Sequence, residues 1–173
     1  TGTHHDAVLY RSRALEWLAR QGERPFFLVL SLPLPHAALA APEATLARVR
    51  AGIRGEVSQN DASQHYGAVK EVKASYAAMV TEVDDTVGAV LDALRHRGLD
   101  RDTLVLFTSD NGPHAEGGYH PSMLGSSGGL RGHKRDLYEG GIRVPMIARW
   151  PAGCPGGRTS AHVSAFWDFL PTL

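Results

Sequence analysis

Asp110, Asn111 and Gly112 stand side by side in a chain of 173 residues. A carboxylate beside an amide oxygen offers two hard oxygen donors, and the glycine lets the backbone turn sharply next to a cation such as Ca²⁺ or Mg²⁺. Taken alone, the tripeptide is more commonly a plain turn. Lys134 lies in the run Leu-Arg-Gly-His-Lys-Arg-Asp-Leu-Tyr-Glu-Gly-Gly-Ile-Arg-Val-Pro, which starts at Leu130 and ends at Pro145. Glycines on either side can bring its point charge and nearby backbone N–H groups to an oxyanion. Without context, a solvated basic loop accounts for the same residues. Glu139 and Arg143 are placed to pair and brace that loop. His36 follows Pro35, and His114 lies just past Asn111, where a contact to bound substrate and a plain loop contact are both open. His4, His5, His65, His96, His120, His133 and His162 are assigned no chemistry.

These side chains must be carried by something. Residues 5–20 place Val8, Leu9, Leu15, Trp17 and Leu18 with the spacing of an amphipathic helix that Gly22 stops. Residues 25–32 form a continuous apolar run, the pattern of a strand buried on both faces, ended by Pro33 and Pro35. Residues 37–64, with Pro42, Gly52, Gly55 and the polar cluster Ser58-Gln59-Asn60-Asp61, read as an irregular surface excursion. Over residues 66–97 apolar side chains recur every three or four positions, which predicts one long helix closed by Gly98. Residues 103–109 are a second buried strand, 116–131 a glycine- and serine-rich loop, and 144–150 a third strand; a helix starts near Val163. Strand, long helix, strand is the unit that joins parallel neighbours, so the expected class is α/β. Ligands of such sheets gather outside the carboxyl ends of the strands. His36 and the Asp110-Asn111 pair both fall there.

Eighteen basic residues balance eighteen acidic ones, so no long-range field draws the chain to nucleic acid or anionic lipid. The apolar stretch that Pro33 interrupts is far shorter than the ~20 residues of a membrane helix, so no membrane span is expected. Cys154 is the single cysteine, which rules out an internal disulfide. The start at Thr1 and the stop at Leu173, just after the apolar run Phe166-Trp167-Asp168-Phe169-Leu170, read as cuts in a longer protein at both ends.

The motifs together say more than each alone. Thr108-Ser109-Asp110-Asn111-Gly112-Pro113-His114-Ala115-Glu116-Gly117-Gly118, the run from Arg131 to Pro145, and Trp150-Pro151 closely resemble the sulfatases of the alkaline phosphatase superfamily. Pro25-Phe26-Phe27-Leu28 with Pro35-His36, and the segment from Ser164 to Thr172, fit as well. The resemblance spans nearly the whole chain except the excursion after Pro42.

The resemblance implies an alkaline phosphatase-like fold, a largely parallel central sheet flanked by helices, of which residues 1–173 would be the middle-to-C-terminal part of one catalytic domain. It implies sulfate ester hydrolysis, with Asp110 and Asn111 as ligands of Ca²⁺ (or Mg²⁺), Lys134 and His36 as contacts to the sulfate and the leaving oxygen, and His114 as a contact to the substrate's organic part. One of Lys134 and His36 would protonate the leaving alkoxide. The substrate would be a sulfated glycan or small aryl ester, and the compartment periplasmic, secreted or lysosomal. Sulfatases attack with a formylglycine made from a Cys/Ser-x-Pro-x-Arg motif, which this sequence does not contain. Cys154-Pro155-Gly156-Gly157-Arg158 has its proline one place early, and Cys154 is read as an ordinary loop cysteine. The family's N-terminal aspartate pair is absent too, so this piece is expected not to turn over without the N-terminal half of its domain. Two alternatives remain: a phosphate or phosphonate monoester hydrolase of the same superfamily, which would often show Asp-His where Asp110-Asn111 stand, and a non-catalytic relic or binding module.

Overall fold

The computed structural model describes residues 3–59 and 66–173. His65 and the Asn60-Asp61 half of the polar cluster lie outside the described residues. The principal helices are α1 (Thr3–Arg20), α2 (Glu43–Arg50) and α3 (Val72–His96). Strand β1 (Val105–Thr108) follows, then a 3-10 turn at Pro121–Met123, α4 (Glu139–Ile142) and β2 (Met146–Arg149). A second 3-10 turn, Phe166–Asp168, runs into α5 (Phe169–Thr172).

Helix α3 organises the rest. Val72, Tyr76, Ala78 and Met79 on its buried side pack with Leu39, Ala41, Val69 and Tyr119, and Leu34, Leu46, Val49 and Met123 close over them. The helix ends as its sequence predicts. Gly98 takes φ +69°, its N–H donates to the Arg95 carbonyl at 3.0 Å, and the Leu99 N–H reaches back to Leu94 at 3.0 Å. This is the paired arrangement that satisfies orphan carbonyls at a glycine-terminated helix. Glu82, only 3% exposed, ties three helices together: the Thr45 hydroxyl of α2 donates to it, and the Arg11 guanidinium of α1 lies 3.6 Å away. Arg48 adds a bidentate pair to Asp85 at 2.5 and 3.1 Å.

Several expectations are corrected. The excursion is not irregular throughout, because Pro42 opens a helix: its carbonyl accepts from the Thr45 and Leu46 N–H groups, both at 3.0 Å. Residues 25–32 form no strand among the described residues. The segment is extended, with Phe26, Leu28, Leu30 and Leu32 partly covered on one side, while Phe27 and Val29 stand 79% and 67% exposed on the other. An apolar run reports a taste for burial, but a strand also needs a hydrogen-bonding neighbour, and no described residue supplies one. Nor do the described residues form a largely parallel sheet. β1 pairs with β2 in antiparallel register, Val105 opposite Arg149 and Thr108 opposite Met146. The chain leaves β1 through the glycine-rich loop and comes back beside it, so no helix crosses between the two, and without a crossover the neighbour runs in reverse. β2 itself is not buried; Ile147 is 60% exposed. Among the described residues no helix is long and apolar enough to cross a membrane.

Candidate active site

β1 delivers its chain directly into Ser109-Asp110-Asn111-Gly112. The Thr108 hydroxyl donates to the Pro145 carbonyl at 3.0 Å, and the Ser109 hydroxyl to the Asn111 carbonyl at 3.0 Å, which folds the strand end into a turn. Gly112 then donates its N–H to Gly141 at 2.9 Å, and Lys134 donates its own to Pro113 at 2.9 Å. The Gly140 N–H donates to Arg131 at 2.7 Å. Two loops distant in sequence are thus stitched backbone to backbone.

The glycines are what permit this approach. A methyl on Gly112 would overlap the Gly140 carbonyl; one on Gly140 would overlap the Gly132 carbonyl, and one on Gly141 the Asp136 carbonyl. No side chain fits at any of the three, so the Asp-Asn-Gly and Tyr-Glu-Gly-Gly stretches are two halves of one contact. Beside Lys134, Arg135 holds φ at 81°, a left-handed conformation that costs a non-glycine residue about 1–2 kcal/mol. Its guanidinium pairs with Glu116, whose other oxygen accepts from the Tyr66 hydroxyl at 3.1 Å. Burial alone would raise the Glu116 carboxyl, but the Tyr66 hydroxyl and the Arg135 and Lys134 charges outweigh it and hold the group below the ordinary carboxylate range. The Glu139–Arg143 pair also forms, across the turn of α4.

His114 joins this unit to the segment carrying His36. Its Nε2–H donates to the Pro35 carbonyl at 2.8 Å and its Nδ1 accepts from the Glu116 N–H at 3.1 Å, so the hydrogen bonds assign one neutral tautomer. Its ring stands edge-on to Tyr76 and Tyr119, which stack on each other at 3.7 Å, and lies 6.1 Å from the His36 ring. Burial pushes the imidazole below the ordinary histidine value, against the Pro35 carbonyl and the Glu116 carboxylate, which pull upward; the His36 and Lys134 charges lower it further. His114 is 5% exposed, and both of its ring nitrogens are engaged. His36 differs: its Nδ1–H donates to the Ala37 carbonyl at 2.5 Å, and the ring is exposed.

Three groups remain without a partner. The Asp110 carboxylate, the Asn111 carboxamide and the Lys134 ammonium make no hydrogen bond or ion pair with a described residue. Two adjacent oxygen donors suit a hard cation, but Ca²⁺ takes 6–8 oxygens. Among the described residues no cluster of three or more His, Cys, Asp or Glu side chains could hold a metal. Asp110 and Asn111 therefore fit as part of a site. Cys154 is free and exposed, in a turn bridged to Trp150 and far along the chain from these groups.

A family model described as Sulfatase matches residues 2–173. The chain belongs to the sulfatase family. The steryl-sulfatase of Mus musculus is 37% identical over 159 residues, covering 91% of this chain and 22% of that protein. The N-acetylgalactosamine-6-sulfatase of Canis lupus familiaris is 30% identical over 174 residues, covering 99% of this chain and 29% of its own length. Among solved structures, Ps i-CgsB in complex with k-i-k-neocarrahexaose superposes with a TM-score of 0.76 at 27% identity, over 96% of this chain and 32% of that one. This sulfatase chain thus spans between about a fifth and a third of the length of those relatives, and its small sheet with flanking helices is consistent with part of an alkaline phosphatase-like domain. Glu116, Tyr66 and Arg135, which brace these loops, were missed from sequence because isolated polar residues in loops carry no spacing signal.

Proposed function

We propose that the protein to which this chain belongs hydrolyses sulfate esters, with Asp110 and Asn111 contributing to a Ca²⁺ (or Mg²⁺) site and Lys134 and His36 acting on the sulfate. The observation that carries this reading is the set of unpartnered groups, a carboxylate, an amide and an ammonium, on two loops fused through their backbones. The bound cation would supply Lewis-acid polarisation of a sulfate oxygen. Lys134 sets a positive charge against the sulfate, and its N–H groups reach the oxygen that departs. His36 has its Nδ1–H fixed on the Ala37 carbonyl, which leaves Nε2 to face a ligand. General-acid help of this kind is worth roughly a hundred- to ten-thousandfold. His114 holds the His36 segment in register with the Asp110 loop and does not itself meet substrate. The nucleophile, formylglycine in this family, is supplied from outside these 173 residues. Sulfated carbohydrates or aryl sulfates are the substrate class, as the k-i-k-neocarrahexaose in complex with Ps i-CgsB suggests by analogy.

The test uses the full-length protein and two esters of one aryl alcohol, sulfate and phosphate. The sulfate is expected to be cleaved with the higher kcat/KM, and Lys134→Ala to lose about a hundredfold or more. A preference for phosphate would overturn the assignment.

A further inference from the structure

Immediately beside Lys134 lies an open cavity of about 330 Å³ that the reaction leaves unused, lined by His120, Ser127, Arg131, His133, Asp136 and Tyr138 among others. Its chemistry is lopsided toward donors. The Arg131 guanidinium lies 3.6 Å above the centre of the Tyr138 ring and spends one N–H on the Tyr138 hydroxyl at 2.7 Å. The remaining guanidinium N–H groups are left for a ligand, on a fork whose geometry matches a carboxylate or sulfate. His120 is engaged through Nδ1, by the Ser122 hydroxyl at 2.8 Å, and His133 through Nδ1, by the Lys134 carbonyl at 3.1 Å. The two rings meet edge to face at 5.8 Å, and neither Nε2 has a partner among the described residues. The one carboxylate in the lining, Asp136, is already committed to the His133 N–H at 2.9 Å. The cavity therefore carries a permanent cation, two imidazole nitrogens, hydroxyls and an aromatic edge, against the single negative charge of Asp136.

We propose that this cavity binds an anionic sugar unit, one bearing a sulfate or a carboxylate, next to the unit whose sulfate ester is cleaved. The proposal rests on the sulfate ester reading for the position of the scissile group. His133 lines the cavity, while the charge of Lys134, the next residue, is felt at His114 and Glu116 on the reaction side. Consecutive Cα atoms lie about 3.8 Å apart, so a ligand reaching from one to the other need be no longer than linked sugar rings.

The experiment compares three disaccharides that share the scissile sulfate, on the full-length protein: one with a neutral neighbouring sugar, one with a second sulfate there, and one with a uronate there. At least one anionic form is expected to exceed the neutral one in kcat/KM by about tenfold, the worth of a charge-assisted contact. Which form wins tells sulfate from carboxylate. In Arg131→Gln that ratio should collapse toward one, and Arg131→Lys should restore part of it. Calorimetric titration with a disaccharide that keeps the anionic group but lacks the scissile sulfate reads the cavity without turnover. Binding that weakens about tenfold in Arg131→Gln supports the proposal even if no sulfate ester is cleaved, which would sink the hydrolase reading alone. Equal rates on all three sugars in an enzyme that cleaves aryl sulfate, or binding indifferent to Arg131, overturns it.

Discussion

His114 fastens two distant segments together, its ring bridging the Pro35 carbonyl and the Glu116 N–H. The folded protein keeps its ring neutral, because a second proton on Nδ1 would face the Glu116 N–H that now donates to it. Its folded value is depressed by burial, so between that value and about 6.5, where the unfolded chain titrates, the unfolded state holds more protons. Stability from this residue is complete above about pH 6.5 and is lost as pH falls through the lowered folded value. The thermal midpoint of the full-length protein is expected to drop over that window, and His114→Gln to flatten the drop; an unaltered pH profile in the variant would contradict the assignment. Asp110 invites a second test. Asp110→Ala should release bound Ca²⁺, as measured by metal analysis of the full-length protein, and lower kcat/KM on an aryl sulfate by about a hundredfold or more. A variant that retains both would remove Asp110 from the metal site.

At the scale of elements, the decisive parts are loops that glycine allows to touch. Gly112→Ala forces a methyl into the Gly140 carbonyl, and overpacking against backbone typically costs about 1–3 kcal/mol. Gly88, inside α3 with open space where its Cβ would stand, is the counter-case: Gly88→Ala should add roughly 0.5–1 kcal/mol. Urea denaturation of the two full-length variants separates these signs. The long helices α1 and α3 were legible from sequence because their information is local: the repeat along α3 and the Gly98 stop fix both its face and its end, whereas the short α2 carried too little repeat to be seen. Residues 25–32 were not, since pairing is decided by a neighbour that no local pattern names. The site divides in the same way. Asp110, Asn111 and Lys134 stand in recognisable strings, whereas the Glu116–Arg135–Tyr66 brace is assembled from three distant loops and exists only once they are folded.

The molecule as a whole exposes apolar side chains that a finished core would cover. Phe27 and Val29 on the extended segment, Met146 and Ile147 on β2, and Trp167 and Leu170 near the end all face outward. Large apolar side chains left this open invite association. The 173-residue chain on its own is expected to self-associate and to bind a hydrophobic dye, while the full-length protein shows neither; a monodisperse, dye-silent isolated chain would refute this. The glycine contact between the two loops has a separate consequence for how such enzymes diversify. Because Asp110-Asn111 and Lys134 are carried by backbones in direct touch, their mutual placement passes down a lineage as a block, and transplanting either loop alone into a distant relative should break both. Only the middle of the serine- and glycine-rich stretch between them, where Gly125, Gly128 and Gly129 have open space around them, escapes that constraint, so substitutions are expected to accumulate there first.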